Sequence, residues 1–193
     1  RSNAYNSLAS MTEKGAAYLV EEASTRKYVP VPLNEFCKNR IRKLEESGKW
    51  LQEHMPTEKA YVEGYITIEG AENILNKIKN LLSQVDQRVY ISCTRNYLLL
   101  LIRELDTLME ERKKVVIITD QPATFHNAKV YFGENRGMQI GIIADSKYVL
   151  TGEYGEGSMN TCLYSGQKNF VELYKTALAN EIKLLSIREE NKD

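Results

Sequence analysis

Residues 137–154 read GMQIGIIADSKYVLTGEY, and this stretch decides the fold of the larger part of the chain. Two apolar runs are separated by the short polar step Asp145-Ser146, which predicts an antiparallel β-hairpin with a tight turn. The run AKVYFG before the hairpin and the run TCLYS after it predict two further strands. A helix over residues 168–185 is expected to follow them, and the charged residues 188–193 are expected to fray.

The sequence upstream of this hairpin alternates between strand and helix patterns. AYVEGYITIEG, RVYISC and KVVIITD predict strands, and AENILNKIKNLLSQV and NYLLLLIRELDTLMEER predict the helices between them. Alternation of this kind builds a parallel sheet that is covered by helices and connected by right-handed crossovers. We therefore expect an α/β fold with a mixed sheet flanked by helices.

The first residues predict a helix followed by a hairpin. In RSNAYNSLASMTEKG, the side chains of Tyr5, Leu8 and Met11 recur at helical spacing, and Gly15 ends the run. AAYLVEE and RKYVPVP then predict two strands. This order matches the second half of a winged helix-turn-helix, in which the recognition helix enters the major groove. We expect a fragment that begins inside that helix; the alternative is a cloning remnant followed by an unrelated helical hairpin.

A long charged helix is predicted over residues 32–54. Its apolar positions alternate four- and three-residue steps, which favours a seam between two subunits, although the helix could also lie on its own domain. The dimer contacts on that seam would be Ile41, Leu44 and Leu51. Residues 56–58 read as a linker, so the expected domains are a partial winged helix at 1–31, a dimerisation helix at 32–57 and a regulatory domain at 58–193.

Composition limits the possible partners and compartments. The chain has 26 basic and 26 acidic residues, so any nucleic-acid contact must be local. Three cysteines, without paired spacing, indicate reduced thiols and no structural zinc. No run is long and apolar enough to span a membrane, and there is no signal peptide. We expect a cytoplasmic protein with no cofactor, no metal and no membrane partner.

The hairpin region also resembles a half-site of the phospholipase D superfamily. In that superfamily, the strand carries the motif His-x-Lys-x-x-x-x-Asp, whose His is the nucleophile and whose Lys holds phosphate. With Asp145 in the last position, Met138 replaces the His and Ile140 replaces the Lys. Neither side chain can perform those tasks, so the sequence predicts a retained fold, no catalytic residues and no enzyme activity.

The order of all these parts resembles that of the TrmB-like transcriptional regulators. The resemblance is carried by RSNAYNSLASMTEKG, RKYVPVPLNEF and IADSKYVLTGEY…TCLYSGQKNFVELY, and it covers essentially the whole chain. It implies a DNA-binding regulator that dimerises through the long helix and senses an effector such as a sugar. The sugar-sensing members carry a further β-rich domain that this sequence lacks, so sugar contacts cannot be transferred residue by residue.

Two groups of polar residues are the candidate binding sites. On the parts of the winged helix that remain, DNA contacts are expected at Arg1, Ser2, Asn3, Asn6, Arg26 and Lys27. Without the first helices, the fragment is expected to bind DNA poorly if at all. Because ligands of open α/β sheets bind beyond the carboxyl ends of the strands, effector contacts are expected at Ser92, Thr94, Arg95, Asp120, Gln121, Glu153 and Tyr154. The alternatives are ordinary surface residues for the first group, and helix caps and a turn for the second.

Two other functions remain open from the sequence. One is a phosphodiesterase or nuclease of the phospholipase D class with a non-standard site, which requires His126 and Lys129 to face one pocket. On a strand, this spacing would place the two side chains on opposite faces. The other is a protein-interaction module that binds no small ligand.

Overall fold

A computed structural model describes residues 2–22, 25–55, 64–121, 125–133, 136–157 and 159–190. The chain forms two compact units, which comprise residues 1–59 and residues 60–193. The expected further division of the first unit near residue 31 stays a prediction.

The first unit contains a helix, a hairpin and a long helix. Helix α1 spans Ser2–Glu13, strand β1 spans Ala17–Glu22, strand β2 spans Thr25–Pro30, and helix α2 spans Leu33–His54. Gly15 ends α1 at a φ of 73°, and the N–H of Ala16 donates to the Met11 carbonyl at 2.8 Å. The strands pair antiparallel, with Ala17 opposite Pro30. The helix and hairpin expected from the sequence therefore both form. Residues 23 and 24, which connect the two strands of the hairpin, lie outside the described residues.

Helix α2 carries apolar side chains that are exposed in the described part of the chain. It is 22 residues long, and none of its residues is buried. Ile41 and Leu44 expose 59% and 76% of their surface, and Leu51 is also exposed. These three side chains are the ones that the sequence predicts to contact a second subunit.

The second unit is a mixed α/β domain. Its elements are β3 Tyr65–Glu69, α3 Ala71–Ser83, β4 Arg88–Ser92, α4 Arg95–Leu99, α5 Ile102–Glu110, β5 Lys114–Thr119, β6 Ala128–Phe132, β7 Gln139–Ala144, β8 Tyr148–Glu153, β9 Thr161–Ser165 and α6 Lys168–Glu190. The described strands form one seven-stranded sheet in the order β3-β9-β8-β7-β4-β5-β6. The neighbours β4-β5 and β5-β6 are parallel, whereas the other pairs are antiparallel. The expected mixed sheet is therefore confirmed.

Helices cover both faces of this sheet. Alternate residues of β5 face opposite sides, so Ile117 joins the core under α3 and α5, while Ile118 joins the core under α6. Gly141 lies where Tyr174 of α6 approaches β7, because a Cβ atom at this position would lie 2.0 Å from the Tyr174 hydroxyl oxygen. That hydroxyl lies 2.9 Å from the Thr151 hydroxyl, which bonds α6 to β8.

Two helices differ from the sequence prediction. The single helix expected over residues 96–112 is divided into α4 and α5, because the N–H groups of Leu100 and Leu101 donate to carbonyls only three residues back. The four consecutive leucines are compatible with an unbroken helix, so their pattern did not reveal this tight turn. Helix α6 continues to Glu190, beyond the expected end at residue 185, and residues 191–193 lie outside the described residues.

Asp145 joins the β7–β8 turn to the start of β4. Asp145 and Ser146 both have positive φ, at 50° and 55°, as a tight hairpin turn requires. The Asp145 carboxylate accepts hydrogen bonds from the backbone N–H groups of Asp86, Gln87 and Arg88 at 2.8–2.9 Å. Partial burial raises the pKa of this carboxyl, but the three donors and Lys147 outweigh it and hold the pKa below its ordinary value.

We predict that Asp145→Asn lowers the free energy of unfolding by about 1–3 kcal/mol, because an amide cannot accept all three hydrogen bonds as an anion does. Since the folded-state pKa is depressed, this stabilisation is complete above the unfolded-state pKa and disappears as the pH falls through the folded-state pKa. Urea unfolding at neutral and acidic pH measures both effects. The control is Asp86→Asn, which removes a neighbouring charge but keeps its backbone donor; equal losses in the two variants would contradict the prediction.

Candidate functional site

The residues predicted to bind an effector lie at the edge of the sheet where strands β4, β5 and β8 end, which we call the strand-end edge. Ser92 ends β4, Asp120 follows β5, and Glu153 ends β8. Strands β4 and β5 are parallel, and β8 runs in the same direction as β4 because β7, which lies between them, is antiparallel to both. The topology therefore brings these residues to a common edge, together with Thr94 and Arg95 at the start of α4.

Ser92 is buried and takes part in an internal contact. Its hydroxyl accepts a hydrogen bond of 2.6 Å from Nη1 of Arg136, whose side chain is only 10% exposed. Nη2 of Arg136 pairs with the Glu181 carboxylate of α6. The sequence pattern gave no sign of Arg136 or Glu181, because they come from a turn and a helix 45 residues apart. This partly buried ion pair attaches the β6–β7 connection to α6.

Asp120, which follows β5, caps helix α4, which follows the neighbouring strand β4. Its Oδ1 accepts a hydrogen bond of 2.9 Å from the backbone N–H of Arg95, the first residue of α4. Thr94 occupies the N-cap position, but its hydroxyl makes no capping hydrogen bond. Asp120, from the end of β5, therefore satisfies the N–H of the first residue of α4. The side chains of Arg95 and Gln121 are exposed.

Tyr154 is buried against Tyr97 rather than open to a ligand. The two rings meet edge to face with their centroids 5.0 Å apart, and burial, followed by the charge of Tyr97, raises the pKa of Tyr154. Residues 155–157, two of which are glycines, follow Tyr154. The Asn160 side chain holds this segment, because it accepts a hydrogen bond from the N–H of Gly155 and donates one to the Gly155 carbonyl. Glu153 is exposed at the same edge.

The two motif positions that depart from the phospholipase D pattern have different surroundings. Met138 precedes β7 and is partly exposed, and its carbonyl accepts a hydrogen bond from the N–H of Tyr154. Ile140 is 2% exposed and packs in the core under α3 and α5. Neither position provides a polar side chain at the sheet edge.

His126 lines a cavity of about 390 Å³ beside α4 and α5. Lys129 lies on β6 with its ammonium nitrogen 5.0 Å from the centre of the Tyr131 ring. The pairing of His126 and Lys129 in one pocket, which the enzymatic alternative requires, is therefore not observed among the residues that line this cavity.

The buried thiols are poorly suited to act as nucleophiles or ligands. Burial, with a further contribution from Asp120, raises the pKa of Cys93 to about 12, and burial raises the pKa of Cys162 to about 11. Across the described residues, no group of three or more His, Cys, Asp or Glu side chains is arranged to hold a metal ion. None of the helices in the described ranges is long and apolar enough to cross a membrane.

The candidate DNA-contacting residues are only partly described. Arg1 and the side chain of Ser2 lie outside the described residues. Asn3 and Asn6 are exposed on α1. On the hairpin, Lys27 is exposed, and Arg26 forms an ion pair of 3.1 Å with its cross-strand neighbour Glu21.

Comparisons with known proteins identify similar folds but no matching family. No family model matches the chain, and no curated protein matches it. Among solved structures, the chain is similar to the archaeal chromatin protein TrmBL2, with 17% identity, a TM-score of 0.54, and coverage of 93% of this chain and 80% of that one. It is also similar to NucT from Helicobacter pylori, with 16% identity, a TM-score of 0.48, and coverage of 62% and 97%. A third similar structure is Nuc from Salmonella typhimurium, a phospholipase D family member, with 10% identity, a TM-score of 0.48, and coverage of 61% and 92%.

These comparisons confirm the fold class and correct one prediction. The mixed sheet flanked by helices is the one that the sequence predicts, and the likeness to TrmBL2 extends over both units. The prediction that the chain is not an enzyme is wrong, because the similar structures include NucT and Nuc as well as TrmBL2. The replacement of His and Lys by Met138 and Ile140 was too narrow a basis for it.

We predict that Glu181→Gln lowers the free energy of unfolding by about 1–3 kcal/mol, because it leaves the buried charge of Arg136 without its counter-charge. Glu181 is partly exposed, so the loss should be smaller than that for a fully buried pair. Chemical denaturation measures the loss. The matched control is Glu172→Gln, which breaks an exposed pair with Lys175 on the same helix and is expected to change little. A loss in the control as large as that in Glu181→Gln would contradict the prediction.

Proposed function

We propose that the chain acts as a DNA-binding transcriptional regulator of the TrmB-like type. The supporting observation is its likeness over 93% of its length to TrmBL2, a chromatin protein described as showing a novel mode of DNA binding. In this proposal, the first unit contacts DNA, α2 holds two copies together, and the second unit binds a small effector. A cytoplasmic location belongs to the same proposal.

The DNA contacts proposed for the first unit are local. Asn3 and Asn6 present amides on the exposed side of α1, which suits hydrogen bonds to phosphates or base edges. Arg26 and Lys27 lie on the hairpin, where a wing meets the phosphate backbone. Because Glu21 already neutralises Arg26, a phosphate must displace that carboxylate, which reduces the net gain. Local contact also agrees with the zero net charge of the chain.

We predict that replacing both Arg26 and Lys27 by Gln weakens binding to a labelled DNA duplex and flattens its salt dependence. The slope of log K against log salt should fall in magnitude by about 0.9 for each phosphate that the protein no longer neutralises. Fluorescence anisotropy over a range of salt concentrations measures the slope. The control is Lys175→Gln with Lys183→Gln, which removes two exposed lysines from α6 of the second unit. An unchanged slope in the hairpin variant, or an equal change in the control, would count against the proposed wing.

A second copy of the chain is the proposed partner of α2. Its apolar side chains recur at heptad-like steps and remain exposed along 22 residues. Two such helices side by side remove these side chains from water, at about 25 cal/mol for each Å² buried. Gly48 lies on the same seam and permits a close approach of the helices.

We predict that Leu44→Glu shifts the protein from dimer toward monomer, because it places a charge in the apolar seam. Sedimentation equilibrium of the full chain measures the change. The matched control is Asn39→Glu, which adds the same charge on the face of α2 opposite the seam. A monomeric wild-type chain, or equal dissociation by the control, would refute dimerisation through this face.

The effector proposed for the second unit, such as a sugar, would bind at the strand-end edge. Thr94, Arg95, Gln121 and Glu153 offer polar groups there. Ser92 and Asp120 already make internal hydrogen bonds, and Tyr154 is packed against Tyr97. The set of contacts proposed for a ligand is therefore narrower than the set derived from the sequence.

A further inference from the structure

The cavity beside α4 and α5 is a second candidate ligand site, which shares only Arg95 with the residues predicted at the strand-end edge. It has a volume of about 390 Å³, which is within the range of pockets that hold small organic molecules. Its apolar lining includes Leu98, Leu99, Ile102, Met109 and Phe125. Leu99 and Ile102 remain 47% and 41% exposed, although both belong to helices that cover the sheet.

The fold explains why this volume is open. Strands β5 and β6 are parallel, and only residues 120–127 connect them, whereas parallel crossovers usually take a dozen residues or more. The described residues of this connection, 120, 121 and 125–127, form no helix over the sheet face. The tight turn between α4 and α5 turns Leu99 and Ile102 toward the space that remains.

Opposite charges lie at the two ends of the cavity. Arg95 begins α4 at the edge where β4 and β5 end, because its N–H is bonded to Asp120. Glu110 ends α5 near the opposite edge, just before β5 begins, and Asp106 lies one turn away on the same helix face. His126 and Asn127 lie at that acidic end too, because they immediately precede Ala128, which is opposite Val115 near the start of β5.

The charged lining groups are available to a ligand. Within the described ranges, the guanidinium of Arg95 and the carboxylates of Asp106 and Glu110 form no hydrogen bond or ion pair with the protein, although all three line the cavity. Two neighbouring carboxylates repel each other, and a cation placed between them relieves that repulsion. An apolar middle, a cationic end and an acidic end together define the shape and charge of a complementary molecule.

We propose that this cavity binds a small zwitterion with an apolar body and its charges at opposite ends, such as a short apolar peptide. The ammonium group lies at Asp106 and Glu110, the carboxylate lies at Arg95, and the apolar body covers Leu98, Leu99 and Phe125. This inference rests on the proposed function in one respect, namely that the bound zwitterion acts as the effector of the regulator. The binding itself belongs to the second unit and requires no DNA.

The test is isothermal titration of the full chain, without DNA, with the dipeptide Leu-Leu. The same titration is repeated with N-acetyl-Leu-Leu, which lacks the ammonium group, and with Leu-Leu amide, which lacks the carboxylate. We expect one site per chain and a loss of about tenfold or more on removing either charge, because each charge makes a charge-assisted contact.

Paired variants assign each charge to its end of the cavity. In Asp106→Asn with Glu110→Gln, the acetylated and free dipeptides should bind equally, while the preference for the carboxylate remains. Arg95→Gln should produce the reverse pattern. The charge-matched controls are Glu72→Gln with Asp86→Asn, and Arg103→Gln, all at exposed positions outside the cavity lining; they should keep the wild-type preferences.

A cavity-filling variant separates binding from stability. Leu99→Trp fills the volume from an exposed position, so it should abolish binding while thermal melting remains close to that of the wild type. Absence of Leu-Leu binding, or binding that is indifferent to the charge variants, would overturn the proposal. DNA binding measured separately on the same protein shows whether the regulator proposal fails with it or stands alone.

Discussion

Three backbone N–H groups converge on the carboxylate of Asp145, and this contact joins the β7–β8 turn to the start of β4 at the centre of the sheet. Asp145 lies in the turn of the antiparallel β7–β8 hairpin, and its three donors lie where β4 begins. The contact thus fixes the register between the antiparallel half of the sheet and the parallel half, at the central pair β4–β7. A neutral or longer side chain cannot accept all three donors from this tight turn.

The strand directions bring the ends of β4, β5 and β8 to one edge of the second unit. At this edge Ser92 bonds to Arg136, and the Asp120 side chain bonds to the backbone N–H of Arg95. The open volume lies beside α4 and α5. Arg95 belongs to both places, with its backbone bonded at the edge and its side chain lining the cavity.

Local patterns predicted most of this fold. The β7–β8 hairpin, the alternation of strands and helices, and the helix-hairpin order of the first unit depend on residues that are close in the sequence. The break between α4 and α5 was missed because the four leucines fit a continuous helix equally well. The Arg136–Glu181 pair was missed because its members meet only through the tertiary fold. Two residues of a motif, Met138 and Ile140, decided the prediction about catalysis, and the likeness of NucT and Nuc to 62% and 61% of the chain contradicts it.

The measurement that tests the account most directly is hydrogen–deuterium exchange of the full chain with and without duplex DNA, because it reports which unit the DNA contacts. A regulator that binds through a wing protects backbone amides in α1 and in the β1–β2 hairpin, and leaves those of β4, β5 and β8 at the sheet edge unchanged. Protection confined to the sheet edge of the second unit, with none in the hairpin, would contradict the account.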